Sequence, residues 1–141
     1  MLSALPPDAR VPWGLGMRTP SFVTARLMET WAHGLDVRAA LGVAAVDADR
    51  LAHIAWLATR ALPYAYSVAG REPPAEPVRV ELVLPSGAHW ASGPEAAADR
   101  ISGPAGDYCR VFVHRRSPAD TNLVIEGDAA RSAIAVARAF L

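Results

Sequence analysis

The sequence contains neither lysine nor glutamine, so all fourteen of its permanently basic side chains are arginines. Fourteen acidic side chains balance them and give a formal net charge of zero. No segment concentrates basic side chains into the run that would neutralise a phosphate backbone. Nucleic acid is therefore not expected as a partner.

Cysteine is nearly absent as well, since Cys109 is the single one. It cannot form an internal disulfide, and it offers at most one thiolate to a metal ion. No apolar stretch reaches the about 18 residues that a membrane helix needs, and residues 1–10 lack the basic start and the apolar run of a signal peptide. We therefore expect a cytoplasmic protein that is neither secreted nor membrane-spanning.

The chain has enough apolar material to fold. Its 141 residues are 52% apolar and 20% charged, which is typical of one ordinary domain or two very small ones. The first twenty residues hold four prolines and predict an irregular lead-in. From Ser21 to Leu41 proline is absent, and a helix ended by Gly42 is indicated by apolar side chains at every fourth position, namely Val23, Leu27, Trp31 and Leu35, with Met28 beside them.

A second helix should follow, capped by Asp47 or Asp49 and buried through Leu51 and Ile54. Pro63 should kink it or end it. Residues 78–84 alternate as a half-buried strand does, and the turn at Pro85-Ser86-Gly87 predicts that residues 88–92 return as its hairpin partner.

The remainder predicts a helix over residues 105–116, a short strand over 122–126, and a last helix capped by Asp128 that runs through Phe140. The fold class is therefore α+β: two N-terminal helices followed by a small mixed sheet with two helices.

The first predicted helix carries the sharpest group of polar side chains. Arg26, Glu29, His33 and then Asp36 or Val37 follow one another at spacings of three, four and three residues, which places them along one side of the helix. Glu29 and His33 are close enough to share a proton or to bind one divalent metal ion, such as zinc, as an incomplete site. An ordinary solvated stripe of ion pairs would have the same spacing.

The second helix has a face of aromatic and polar side chains, namely His53, Trp56, Arg60 and Tyr64. Such a face suits the wall of a pocket that stacks a planar or anionic ligand, and it also suits an amphipathic helix with a half-buried tryptophan. His89 and His114 are expected at the surface, and Cys109 is expected to be a buried apolar side chain. The segment Gly103-Pro-Ala-Gly106 is a weak candidate for binding an anion at a helix start.

Several segments resemble a known family. Arg26-Leu-Met-Glu29-Thr-Trp-Ala-His33-Gly-Leu-Asp36-Val37 looks like the last bundle helix of the DinB-like, mycothiol-dependent maleylpyruvate isomerase superfamily. Further segments are similar to the same proteins: Val11-Pro-Trp-Gly14, Gly87-Ala-His-Trp-Ala-Ser-Gly-Pro94, Ala98-Asp-Arg-Ile-Ser-Gly103 and Val124-Ile-Glu-Gly-Asp128. The resemblance implies a shortened form without the earlier bundle helices, with residues 1–70 as the residual helical part and residues 71–141 as a sterol-carrier-like part, packed as a single unit.

The resemblance also implies a function. In that family the Glu and His bind a divalent metal together with a His from an earlier helix. We therefore expect an enzyme of isomerase or cyclase type, with a substrate pocket between the first helix and the sheet. Its catalytic residues would be Glu29, His33 and Arg26, and its substrate-binding residues would be Trp31, His53, Trp56, Arg60 and Tyr64.

Two alternatives remain open: a non-catalytic binding or carrier module for a small molecule, and a partner-dependent half of a metalloenzyme. A bundle helix without its neighbours exposes apolar surface, which predicts a homodimer.

Overall fold

The computed structural model describes residues 6–12 and 16–140. These residues form five α-helices, a mixed sheet of four strands and a two-stranded ribbon, which confirms the α+β class. The chain divides into two compact units. One unit comprises the described residues up to Ala45 together with Phe140, and the other comprises Val46–Ala139.

In the first unit a short antiparallel ribbon precedes a long helix. Strand β1 (Arg10–Val11) pairs with β2 (Met17–Arg18), and α1 (Thr19–Ala40) follows directly. Gly16 has a φ of 77°, a left-handed conformation that glycine adopts without strain. The prediction of a wholly irregular lead-in was wrong here, because strands of two residues are too short to produce a sequence period.

Helix α1 begins earlier than predicted, and its buried stripe agrees with the predicted one only in part. Pro20 lies in its first turn, where the missing N–H has no intrahelical partner to lose. Its buried apolar side chains are those of Ala25, Met28 and Ala32, whereas Val23 is exposed and Trp31 is half-buried. Met28, predicted beside the stripe, is therefore buried, and Leu27 and Leu35 are half-buried like Trp31. Val23 was wrongly placed, and the burial of Ala25 and Ala32 was missed because alanine was given little weight.

Helices α2 (Leu51–Arg60) and α3 (Leu62–Val68) replace the one helix predicted in this region. Pro63 lies in the first turn of α3, which confirms that the earlier helix ends before it. The predicted cap was wrong, because Arg50 holds the N-cap position and no side chain caps α2. The two predicted caps bind elsewhere: Asp49 accepts a hydrogen bond from the Ser86 N–H at 3.0 Å, and Asp47 binds Arg110.

The main sheet has the strand order β4-β3-β5-β6. Strand β3 (Val78–Val83) pairs antiparallel with β4 (His89–Ser92), which confirms the predicted hairpin. Strand β5 (Asp99–Pro104) runs parallel to β3 and antiparallel to β6 (Val124–Glu126), so the sheet is mixed.

The sequence did not predict β5, although it is a central strand. Its sequence Asp-Arg-Ile-Ser-Gly-Pro contains one large apolar residue, Ile101, and ends in a glycine and a proline. Ile101 is fully buried, and the strand is held by neighbours on both sides. Tertiary pairing therefore overrides a weak local preference.

Helix α4 (Ala105–Phe112) is shorter than predicted, because Val113 follows it and His114 turns the chain with a φ of 56°. Helix α5 (Asp128–Ala135) likewise ends before Phe140. Its predicted cap was wrong. The carboxylate of Asp99 accepts hydrogen bonds from the N–H groups of Ala129 at 2.6 Å and Ala130 at 3.3 Å, so the cap comes from strand β5.

The core of the second unit forms where α2 packs on α4 and where α4 and α5 contact the sheet. The rings of Tyr108 and Phe112 lie 4.7 Å apart between centroids and are fully buried. The hydroxyl groups of Tyr108 and Thr59 share a hydrogen bond of 2.9 Å. Among the described residues, no helix combines the length and the apolar character needed to cross a membrane.

Candidate functional site

The polar side chains of α1 lie along one side of the helix, as their spacing predicts. Arg26 forms an ion pair with Glu29. His33 Nδ1 lies 3.6 Å from Asp36 Oδ2, which is longer than a direct hydrogen bond. Glu29 and His33, the two predicted acid–base groups, therefore each have a neighbour of ionisable type on the helix.

Glu29 and His33 differ in accessibility. The His33 side chain is 73% exposed, whereas that of Glu29 is 26% exposed. The exposed imidazole is accessible to a small molecule from solvent, and a partly covered carboxylate interacts more strongly with nearby charges. Arg26 supplies a positive charge beside Glu29.

The predicted substrate-binding residues lie on three different helices. Trp31 is half-buried on α1, His53 is exposed on α2, and Tyr64 is half-buried on α3. The structure brings two of the five together: the guanidinium carbon of Arg60 lies 5.4 Å from the ring centroid of Trp56. This is a cation–π contact on the exposed face of α2.

The described residues do not complete a metal centre. A catalytic zinc site normally takes three protein ligands and leaves one position open. A carboxylate and an imidazole, as in Glu29 and His33, are suitable ligands, but they are only two. Within residues 6–12 and 16–140, no three His, Cys, Asp or Glu side chains are grouped so that they could hold a metal ion.

The second unit contains a cavity of about 810 Å³ at the end of α4. We call it the α4–α5 cavity. Its wall combines apolar side chains with a run of basic ones, and it is lined by Val111, His114, Arg115, Arg116, Ser117, Pro118, Asp120, Ile134, Ala135 and Ala137. None of the residues predicted to bind substrate lines it.

A second cavity, of about 550 Å³, lies where β5 passes into α4. We call it the β5–α4 cavity. Two ion pairs border it. Arg110 binds Asp47 through two hydrogen bonds of 2.7 and 3.0 Å, and Arg116 donates to Asp107 at 2.7 Å. Arg116 lines both cavities.

The β5–α4 cavity is lined in part by the segment Gly103–Gly106, which the sequence indicated as a weak candidate for binding an anion. A Cβ placed on Gly106 would collide with the carboxylate of Asp47 and the guanidinium of Arg110. A carboxylate of the chain itself therefore lies against the first turn of α4, where the helix dipole favours negative charge.

Cys109 is buried in α4, as predicted. Burial raises the pKa of the Cys109 thiol well above its ordinary value, and the nearby Asp47 carboxylate raises this pKa further. Since the thiolate is the reactive form, this position does not suit a nucleophile.

Sequence reasoning missed the basic residues of the α4–α5 cavity. The run His114-Arg115-Arg116 was visible, but it was placed in a helix, where successive residues point in different directions. Because α4 ends before the run, all three residues line one cavity.

The segment that carries the polar face of α1 is similar to a known protein domain. Residues 1–38 match the mycothiol maleylpyruvate isomerase N-terminal domain. The match supports the superfamily resemblance, and it includes Arg26, Glu29, Trp31 and His33. The two cavities lie outside the segment that resembles this isomerase domain.

Two uncharacterized proteins of Mycobacterium tuberculosis, one from each of two strains, are each 44% identical to the chain over 140 residues. The aligned region covers 99% of this chain and 54% of each relative. The chain thus spans about half the length of the curated relatives that it matches. No solved structure matches it.

Proposed function

We propose that the chain is part of an enzyme that transforms a small molecule by proton transfer, in an isomerisation or a cyclisation, with Glu29 and His33 as its acid–base groups. One observation carries the proposal: the segment that matches the isomerase N-terminal domain includes both residues, and α1 places them on one side.

The geometry suggests a role for each side chain. Because Nδ1 of His33 faces Asp36, Nε2 is the nitrogen assigned to proton transfer with the substrate. Arg26 would bind an anionic group of the substrate, since half of its side chain is exposed. Glu29, held beside Arg26, would act as the second acid–base group.

A metal-dependent version of the proposal assigns Glu29 and His33 as two ligands of a divalent ion. The third ligand would have to come from outside the described residues or from a second chain, which would make this chain a partner-dependent half of a metalloenzyme. The acid–base roles of Glu29 and His33 involve no metal. Metal analysis of the purified wild-type and His33→Ala chains therefore distinguishes the metal-dependent version from the metal-free one.

The proton-transfer role can be tested by deuterium exchange. The chain is incubated in D₂O with small keto acids, and loss of the C–H signal next to the carbonyl group is followed by proton NMR. We expect catalysed exchange that falls about 100-fold or more in His33→Gln. Thr30→Ala, on the same helix, is the matched control and should exchange like the wild type. Equal rates for His33→Gln and the wild type would count against the role.

A second candidate function, a non-catalytic binding or carrier module, is supported by the α4–α5 cavity. Its volume of about 810 Å³ lies within the range of small-molecule sites. Under this second candidate function, residues 71–141 would have a sterol-carrier-like architecture and residues 1–70 would form a helical-bundle part.

We also propose a homodimer in a reducing cytoplasm. Exposed apolar side chains on and just after α1 support self-association, namely Val23, Val37 and Leu41. The buried free thiol of Cys109 suits a compartment without disulfides. Sedimentation showing a stable monomer at micromolar concentration would contradict the dimer.

A further inference from the structure

A short segment just before α2, residues 46–50, buries little of its own surface. All five of its residues are exposed or half-buried, and Val46 is 70% exposed. We call this segment the strap. Because a segment with little buried apolar surface has low local stability, the attachment of the strap depends on its polar contacts.

Two carboxylates attach the strap to distant parts of the second unit. Asp49 accepts a hydrogen bond of 3.0 Å from the N–H of Ser86, in the turn between β3 and β4. Asp47 accepts two hydrogen bonds, of 2.7 and 3.0 Å, from Arg110 of α4. Arg110, Asp47 and Pro85, the neighbour of Ser86, all line the β5–α4 cavity. The strap therefore joins two elements that border this cavity, and it forms part of the cavity wall.

The two attachments differ in strength. The side chain of Arg110 is 12% exposed and that of Asp47 is 25% exposed, so water screens this ion pair only in part. Its two hydrogen bonds both join charged groups, which makes them stronger than bonds between neutral groups. The Asp49 contact is a single bond from a neutral N–H to an exposed side chain. The pair of Asp47 with Arg110 is therefore the stronger attachment of the strap.

The approach of the strap to α4 also depends on Gly106. A Cβ at this position would collide with the carboxylate of Asp47 and the guanidinium of Arg110. Gly106 lies in the first turn of α4, where alanine would favour the helix more than glycine does. Glycine at this position thus costs helix stability and leaves room for the ion pair.

We propose that the strap is a conformational device: residues 46–50 detach from α4 while the sheet stays folded, and the pair of Asp47 with Arg110 holds them in place. Detachment removes part of the wall of the β5–α4 cavity, so the ion pair controls access to that cavity. The inference goes beyond both candidate functions and does not depend on Glu29 or His33.

Hydrogen exchange in the full chain, followed by NMR, measures the detachment. The amides of residues 51–53 report on it, because they donate hydrogen bonds to the carbonyl oxygens of Ala48, Asp49 and Arg50 in the strap. Asp47→Asn keeps the size of the side chain and removes its charge. We expect residues 51–53 to exchange about tenfold faster or more in this variant, while the amides of β3 and β5 change less than twofold.

Asp128→Asn is the matched control for the loss of charge. It removes the same charge from an exposed ion pair on α5, with Arg131. Residues 51–53 should exchange in this variant as they do in the wild type. An equal acceleration in Asp128→Asn and Asp47→Asn would assign the effect to net charge and overturn the inference.

Gly106→Ala tests the same attachment by a second route. It keeps both charges, and its Cβ forces the ion pair apart, so residues 51–53 should again exchange about tenfold faster or more. This variant decides the result even where Asp47→Asn fails to fold. Wild-type exchange at residues 51–53 in both variants would overturn the inference. Equal acceleration in β3 and β5 would also overturn it, because the pair would then stabilise the whole unit rather than the strap.

Access to the cavity is measured with an added thiol. Leu84 is a half-buried residue of the cavity lining, whereas Cys109 is buried. A Leu84→Cys chain should therefore react with iodoacetamide, a neutral reagent, several-fold faster when it also carries Gly106→Ala. An unchanged rate would show that the strap does not control access to the cavity.

Discussion

The buried carboxylate of Asp107 and the guanidinium of Arg116 form a hydrogen-bonded ion pair of 2.7 Å that joins α4 to the loop after it. The other carboxylate oxygen of Asp107 accepts a hydrogen bond from the Asn122 N–H at 2.8 Å. One acidic side chain thus holds both ends of the segment between α4 and β6.

Asp107→Ala should therefore destabilise the fold. Its removal leaves the Asn122 N–H without its acceptor, and a loss of about 1–3 kcal/mol is expected in the free energy of unfolding. Urea unfolding followed by circular dichroism measures it. Asp128→Ala is the control, because its pair with Arg131 is exposed and should contribute less than about 1 kcal/mol. Equal losses in both variants would contradict the role of Asp107.

The cap of α5 gives a second prediction. Asp99→Ala should cost about 0.5–2 kcal/mol, because it removes the acceptor for two N–H groups of the first turn. Gly127→Ala should also destabilise the chain, since Gly127 has a φ of 90° and a Cβ there would meet the Asp99 carboxylate. Thermal unfolding of both variants provides the measurement. If Asp128→Ala cost more than Asp99→Ala, the cap would have been assigned to the wrong residue.

The ion pairs of Glu81 with Arg79 and Arg100 on the sheet predict that the stability of the fold depends on pH. The hydrogen bond donated by Arg79 lowers the pKa of Glu81 below its ordinary value of 4.5, and the charge of Arg100 lowers this pKa further. Since the pKa is lower in the folded state, the pair stabilises the fold above about pH 4.5, and this stabilisation is lost as the pH falls through the folded pKa. The difference in unfolding free energy between wild type and Glu81→Gln should therefore shrink on acidification. A difference that grows would contradict the assignment.

The thiol of Cys109 gives a prediction about reactivity. Burial raises its pKa, and its sulfur lies 3.6 Å from the Leu51 carbonyl oxygen. The folded chain should therefore react with Ellman's reagent at least about 100-fold more slowly than the urea-unfolded chain. The absorbance of the released thiolate gives both rates. Fast reaction of the folded chain would show that α4 is not packed as described.

Much of the fold follows from local patterns. The hairpin of β3 and β4 was predictable because residues 78–84 alternate and a proline–glycine turn follows them. The break between α2 and α3 was predictable from Pro63, whose ring removes a backbone donor. These features depend on neighbouring residues alone, so the sequence contains the whole reason for them.

The missed features depend on distant residues. Strand β5 contains little apolar material and is held by pairing with β3 and β6, while Asp99 caps a helix that begins about thirty residues later. The α4–α5 cavity depends on the chain turning at His114, which helical spacing cannot indicate. The polar face of α1 was predictable in its spacing, and the pairs of Arg26 with Glu29 and of His33 with Asp36 agree with the solvated stripe that the same spacing allows.

The proton-transfer role of Glu29 and His33 is tested most directly by comparing four chains in the same deuterium-exchange assay: wild type, Glu29→Gln, His33→Gln and the double variant. When two residues act as one unit, removing either of them lowers the reaction rate about as much as removing both. We predict that the exchange rate falls about 100-fold or more in each single variant and that the double variant is little slower than either of them. Full wild-type rates in both single variants would contradict the proposed function.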